Sequence, residues 1–379
     1  VVKKRATSYL LSFCIWFGPT IAFLLVAEGA VRVFYRGQAV VVQTDPVLNH
    51  TWVPNATLYT PNYESRGVPP YTRRINGQGW LASYDFAQEK RPGVYRVAYV
   101  GDSFVEGTCP EEDAVPTIVG KHLNPRGFSA VEVINTGTSS YAPTLYYLLL
   151  KTKLLAFQPD LVVINVDMTD VFDDSIYRAT LQRSASGELL GCAPGHPALA
   201  THRRTEKGLE KLSLLHGIIL RLSGASRAVR FVLDVIADIK KRRVGPQDGA
   251  APPLFAWCSE SWSPSTQADV EWSMSMLREA IRVTKEQGAQ VVVTAVPHRQ
   301  QLEGFWSLRP MKELAVVCEG EGVPFLNPVE AFREQLAGRA PAEIYIPGDM
   351  HFNPSGYRMW AEIQLDFLRK IIAGKPAAV

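Results

Sequence analysis

No Cys-x-x-Cys pair occurs anywhere in the 379 residues, and the five cysteines and seven histidines stand far apart along the chain. That scarcity argues against the closely spaced thiolate and imidazole ligands of structural zinc and iron–sulfur sites, so no metal is expected; nor do the motifs below imply a cofactor. Charge of one sign is also missing. Forty basic residues against 37 acidic ones leave a net charge of +3, a balance that names no polyanionic partner, and no nucleic acid is expected. With 46% hydrophobic and 20% charged residues, the chain is neither disordered nor fibrous and is long enough for one large domain with additions.

The amino end carries a long uncharged run. Lys3, Lys4 and Arg5 precede "YLLSFCIWFGPTIAFLLVA", Tyr9 to Ala27, which as a helix covers roughly 28 Å, enough to cross a bilayer. Basic residues before the span and few after it predict residues 1–7 in the cytoplasm and an anchor over 8–33. Everything beyond then lies outside the cytoplasmic membrane. A cleaved signal peptide is the main rival. Export brings Cys109, Cys192, Cys258 and Cys318 into an oxidising compartment where disulfides form, with a pairing that one sequence does not reveal. Residues 34–94, rich in Pro, Asn, Tyr and Thr with turn signals such as "VPNATLYTPNY" and "NGQGW", read as an irregular linker.

From residue 95 the pattern changes. Short β-branched runs ("YRVAYV" at 95–100, "VEVIN" at 131–135, "LVVINV" at 161–166, "QVVVTAV" at 290–296, "VPFLN" at 323–327) alternate with helical stretches. Strands that are apolar on both faces predict an α/β domain over 95–372, its parallel sheet covered by helices on each side and its chemistry at the strands' carboxyl ends. An insertion over 175–264 interrupts it. Its apolar helical segment ends in Lys240, Lys241, Arg242 and Arg243, which suits a cap over the site, a helix on the membrane surface, or ordinary packed helices.

Ser103 stands at one of those strand ends, in "VAYVGDSFVEG". A serine hydroxyl becomes a nucleophile only when a base takes its proton, and that base needs a partner to fix its tautomer. Near the carboxyl end, "IPGDMHFNPSGY" offers Asp349 and His351 two residues apart on a loop before a helix opened by Asn-Pro. In extended backbone such residues point the same way, which suits a serine triad. Asp-x-His alone is a common tripeptide; its place just before the closing helix gives it weight. His298, in "VPHRQQ" after the fourth strand, lies at the same edge and is expected to touch substrate. It has no acidic sequence neighbour to make it a triad member. Asp167, Asp170, Asp173 and Asp174 match no calcium loop and are expected as solvated or hydrogen-bonded carboxylates.

With these motifs the chain resembles the SGNH, or GDSL, hydrolase superfamily from about Tyr95 to Ile372. The resemblance implies a flavodoxin-like three-layer sandwich with a parallel central sheet. It implies Ser103 as nucleophile with Asp349 and His351 completing the triad, and oxyanion donors at the N–H groups of Ser103 and of Gly137 in "INTGTSSYAP". The third block departs from the family. Where Gly-x-Asn-Asp is expected, this chain has Asp167, Met168, Thr169 and Asp170, so that either Thr169 supplies the donor the family takes from asparagine, or Asn165 or another group does, or turnover is slow. The implied activity is a serine ester hydrolase acting on O-acyl or acetyl esters outside the membrane, with an acylated carbohydrate or small ester as substrate. The alternatives are a polysaccharide O-acetyltransferase using the same triad, and a catalytically silent carbohydrate-binding or scaffold member.

Overall fold

A computed structural model of the chain describes residues 19, 22–33, 41–60, 67–193, 228, 231–232, 251 and 253–374. Two compact units divide the chain, one of residues 1–40 and 204–245, the other of 41–203 and 246–379. In the first, residues 22–33 are helical and Arg32 pairs with Glu28 one turn back at 2.7 Å. Most of the span expected from Tyr9 to Ala27 lies outside the described residues. Among those described, no helix is long and apolar enough to cross a membrane. Most of the expected insertion, including Lys240 to Arg243, lies outside them as well.

The second unit is built on five parallel strands: β5 (Val94–Val100), β6 (Ala130–Asn135), β7 (Leu161–Val166), β10 (Gln290–Ala295) and β11 (Phe325–Leu326). Their order in the sheet is β11-β10-β7-β5-β6, which, counted along the chain, is the flavodoxin-like 2-1-3-4-5. Every residue of β5 and β7 is buried. Largely apolar sequences, broken only by Arg96 in β5 and Asn165 in β7, suit strands covered on both faces. Helices pack in two groups. Helix α5 (Pro264–Glu286) lies against α3 (Pro143–Leu149), α4 (Asp170–Tyr177) and α7 (Arg309–Glu321); α9 (Pro354–Ile372) lies against α2 (Val115–His122) and α8 (Val329–Leu336).

In this topology the chain reverses its order between β5 and β7, and sheets of this kind bind ligands beyond the carboxyl ends of the strands at such a reversal. Both the Gly-Asp-Ser turn and the third block stand there, after β5 and β7 respectively.

Residues 41–60 and 67–81, read from sequence as part of a linker, form two antiparallel strand pairs, or hairpins, in the same compact unit. Strand β1 (Val42–Asp45) pairs with β2 (Asn49–Trp52), and β3 (Thr57–Thr60) with β4 (Tyr71–Arg74). They enclose a small core of Val41, Trp52, Leu58, Ile75 and Leu81. A third hairpin, β8 (Leu181–Arg183) with β9 (Leu189–Cys192), follows α4. The disulfides that export allows are not formed: Cys109, Cys192, Cys258 and Cys318 are all free thiols, each buried. Burial pushes the Cys318 thiol up to about 12, which keeps it protonated and inert.

Candidate active site

The turn after β5 places Ser103 by cap chemistry. Helix α1 (Ser103–Glu106) is capped by Asp102, whose Oδ1 accepts from the Phe104 N–H at 2.9 Å. The cap is therefore not Ser103, whose hydroxyl lies 3.3 Å from the other Asp102 oxygen, Oδ2. Gly101 is needed for the close approach, because a Cβ there would meet a Val105 methyl at 2.3 Å and the Asn165 carbonyl at 3.2 Å.

From the other end of the chain, the loop before α9 brings His351 to Ser103. His351 Nε2 lies 2.8 Å from Ser103 Oγ, and Nδ1 lies 2.6 Å from Asp349 Oδ1. A carboxylate only accepts, so Nδ1 carries the proton and Nε2 is the acceptor facing the hydroxyl. The loop is fastened by Asn353, which caps α9 by accepting from the Gly356 N–H at 3.0 Å and donates to the Glu343 carbonyl at 2.7 Å. Asp349 and Ser103 thus stand on either side of one imidazole, its exposed fraction only 16%. Burial by itself pushes His351 down, but the carboxylate of Asp349 with its hydrogen bond, helped by Asp167 and Glu106, outweighs it and holds the imidazole above its ordinary value.

The expected oxyanion donors are placed differently. The Ser103 N–H has no hydrogen-bond partner among the described residues. The Gly137 N–H donates to Asn135 Oδ1 at 2.9 Å. Gly137 is glycine for a steric reason, since a Cβ would fall 2.1 Å from the Glu106 nitrogen. Thr169 does not stand as the donor that the resemblance assigns: its hydroxyl donates to Asp167 Oδ2 at 2.7 Å and its N–H to the same oxygen at 2.9 Å. Asn165 is no substitute either. It is fully buried in β7, where its amide reaches strand carbonyls and its Oδ1 accepts from Gln364 at 3.0 Å.

His298 is likewise not a substrate-facing side chain. It is 2% exposed, enclosed by Phe104, Phe255 and Trp306, and its Nε2 lies 2.7 Å from Asp167 Oδ1. This buried pair escaped sequence reasoning because its members are 131 residues apart. The signal was the departure itself, a carboxylate where the resemblance expects glycine. Trp257 closes the same wall, donating to the Met168 carbonyl at 2.7 Å.

The acidic cluster is buried and hydrogen-bonded, not solvated. Asp102, Asp167 and Asp170 each bring one oxygen within 4.8 Å of the others, a spacing that a cation tolerates. Asp102 accepts from the Phe104 N–H and lies within hydrogen-bond distance of the Ser103 hydroxyl, Asp167 is bonded to His298 and Thr169, and Asp170 Oδ2 accepts from the Tyr146 hydroxyl while its Oδ1 has no partner among the described residues. Burial drives Asp102 and Asp170 well above the usual carboxylate range, and the Asp167 charge drives them further. Burial also acts on Asp167, but His298 and the two Thr169 donors hold it below that range. The charge of the cluster thus sits on Asp167, with protons favoured on its neighbours. Asp174, behind them, is pushed up to about 6 by burial, against the lowering from Ser273 and Thr144.

No family model matches the chain, and no curated protein does. Among solved structures it is similar to Axe2, an acetylxylan esterase from Geobacillus stearothermophilus, with 13% identity over 72% of this chain and 93% of that one and a TM-score of 0.39. It is also similar to a two-domain esterase active on acetylated mannans (14%, 76% of this chain and 52% of that one, 0.40). A third is a lipase/acylhydrolase from Enterococcus faecalis (14%, 75% and 100%, 0.38). Likeness at this level carries no inference about the chemistry of this chain.

Proposed function

We propose that the chain is a serine ester hydrolase of the SGNH type. The observation that carries the reading is the line Ser103 Oγ, His351, Asp349, with separations of 2.8 and 2.6 Å, at the point where the sheet reverses its strand order. In the reaction, His351 Nε2 takes the hydroxyl proton as Ser103 Oγ attacks the ester carbonyl. Asp349 steadies the imidazolium, and the Ser103 N–H donates to the oxyanion. Collapse of the tetrahedral intermediate expels the alcohol, protonated by His351. Water activated by the same imidazole then releases the acid. If a sugar hydroxyl takes the place of that water, the same intermediate performs acyl transfer.

An acylated carbohydrate is the proposed substrate class and a membrane anchor the proposed setting. Their support is the sequence: the family resemblance for the substrate, and the uncharged run behind Lys3, Lys4 and Arg5 for the anchor. A second reading, a silent carbohydrate-binding member, is favoured by the internal bonds of Gly137 N–H and the Thr169 hydroxyl, which leave Ser103 N–H as the free donor. Hydrolysis of p-nitrophenyl acetate by the full chain and by Ser103→Ala separates the two. The hydrolase reading expects turnover that the variant loses by at least about a thousandfold; equal rates in both proteins overturn it. Adding an oligosaccharide acceptor then divides hydrolysis from transfer by the product formed.

A further inference from the structure

Three loops carry the proposed machinery: the turn into α1 with Ser103, the 136–141 loop after β6, and the 346–352 loop with Asp349 and His351. All three are touched by residues 41–60 and 67–81, which lie before the first strand of the sheet. Trp52, on β2, donates its indole N–H to the Gly137 carbonyl at 3.0 Å. Its neighbour His50 hydrogen-bonds the Ser139 carbonyl at 2.9 Å, and the Tyr141 hydroxyl donates back to the His50 carbonyl at 2.6 Å. Arg73, on β4, donates to the carbonyls of Glu106 and Gly107, the latter at 3.0 Å, and so satisfies the open carboxyl end of the nucleophile's own helix. Val68 and Tyr71 form a small apolar cluster with Ile346, at the root of the histidine loop.

These contacts share a direction. Each hairpin side chain that bonds a catalytic loop does so to a backbone carbonyl, so what it fixes is the path of the chain and not a neighbouring side chain. The first two loops are also pressed on one another. The Gly137 Cα approaches the Glu106 nitrogen too closely for any Cβ, and Ser139 donates to the Glu106 carboxylate at 2.6 Å. A shift of Trp52 or Arg73 therefore moves Gly137 and Ser103 relative to each other. Trp52 is 4% exposed and Arg73 is 2% exposed. A guanidinium buried this deeply needs its acceptors, and the carbonyls that end α1 are among them.

We propose that the two hairpins, residues 41–60 and 67–81, are a clamp that sets the mutual position of the nucleophile turn, the 136–141 loop and the histidine loop, with Trp52 and Arg73 as its positioning residues. This inference rests on the serine-ester reading above. It makes the amino-terminal hairpins part of the catalytic apparatus, acting through the loops without touching substrate.

The test uses the full chain and three variants: Trp52→Phe, which keeps the ring and removes the donor; Arg73→Met, which removes the charge and both bonds; and Arg73→Lys, which keeps a donor. Two quantities are measured on each. One is peptide-resolved hydrogen exchange, and the other is the rate of Ser103 acylation by p-nitrophenyl acetate. The clamp predicts faster exchange confined to 101–107 and 136–141 while β7 and β10 stay protected. It predicts acylation about 10- to 100-fold slower in Trp52→Phe and Arg73→Met, the size of loss that small misplacements produce, and partial recovery in Arg73→Lys. Exchange unchanged at both segments in Trp52→Phe overturns the clamp, whatever the activities and even if Arg73→Met fails to fold. Faster local exchange with an unchanged acylation rate overturns the positioning role. A wild-type Ser103 that does not react is recognised from the control alone; it overturns the catalytic reading, and this inference falls with it.

Discussion

Asp167 Oδ1 and His298 Nε2 lie 2.7 Å apart inside a wall of Phe104, Phe255 and Trp306, with neither side chain more than 2% exposed. The pair occupies the place where the third sequence block departs from its expected pattern, and it accounts for the departure. A carboxylate at residue 167 brings in an imidazole from the loop after β10 and occupies the hydroxyl of Thr169. Removing one partner leaves a buried charge without its complement, which costs about 3–5 kcal/mol. His298→Phe is therefore expected to lower the thermal midpoint sharply. Combining it with Asp167→Asn is expected to recover part of that loss. Melting curves of the two proteins check this, and a double variant no more stable than the single one contradicts it.

Thr169 is bound to Asp167 through both its hydroxyl and its N–H. Loss of a true oxyanion donor costs about 100- to 1,000-fold in turnover. Thr169→Ala, checked for folding by circular dichroism, is expected to lose less than about tenfold in kcat on p-nitrophenyl acetate. A fall of 100-fold or more in the folded variant restores Thr169 as a donor.

His351 must be neutral to accept the Ser103 proton. Burial lowers its affinity for protons, but Asp349, Asp167 and Glu106 raise it further than burial lowers it. The acid limb of kcat/KM is therefore expected to have its midpoint above the ordinary histidine value of about 6.5. Glu106→Gln removes one of the charges that favour imidazolium, so its limb should move to lower pH. A pH–rate profile of both proteins measures it; a shift to higher pH in the variant contradicts the assignment.

Asp174 is raised in the folded state to about 6, above the unfolded value of about 3.9. Between those values the folded protein binds the extra proton. The contribution of this group is thus fully present below about pH 4 and lost as pH rises through about 6, a change on the order of 3 kcal/mol. Asp174→Asn keeps an acceptor for the Thr144 N–H and a polar group for Ser273. It should flatten the stability profile between pH 4 and 6 and raise stability at pH 7. Urea melts across that range test it, and an unchanged slope counts against it.

Much of the fold was legible because β5, β6, β7, β10 and β11 are rich in β-branched and aliphatic residues, and in β5 and β7 burial on both faces leaves no alternation to confuse with amphipathic strands. Ser103, Asp349 and His351 were legible because each lies in a short contiguous motif at an element boundary. The Asp167–His298 pair was not, since nothing along the chain links positions 131 residues apart. Nor were the hairpins of residues 41–60 and 67–81. Their four-residue strands give too short a period to read. Trp52, His50 and Arg73 bind backbone carbonyls of the loops after β6 and at the end of α1, and a carbonyl acceptor leaves no mark on the sequence of the loop that provides it.

The central claim is that Ser103 is a nucleophile activated by His351. Reacting the full chain with a fluorophosphonate and locating the adduct by peptide mass spectrometry tests it most directly, with Ser103→Ala and His351→Ala in parallel. The account predicts one phosphonyl group on Ser103 of the wild-type protein, none in Ser103→Ala, and labelling slowed by at least about 1,000-fold in His351→Ala. A wild-type protein that stays unlabelled, or that is labelled on Ser103 at the same rate without the imidazole, would contradict it.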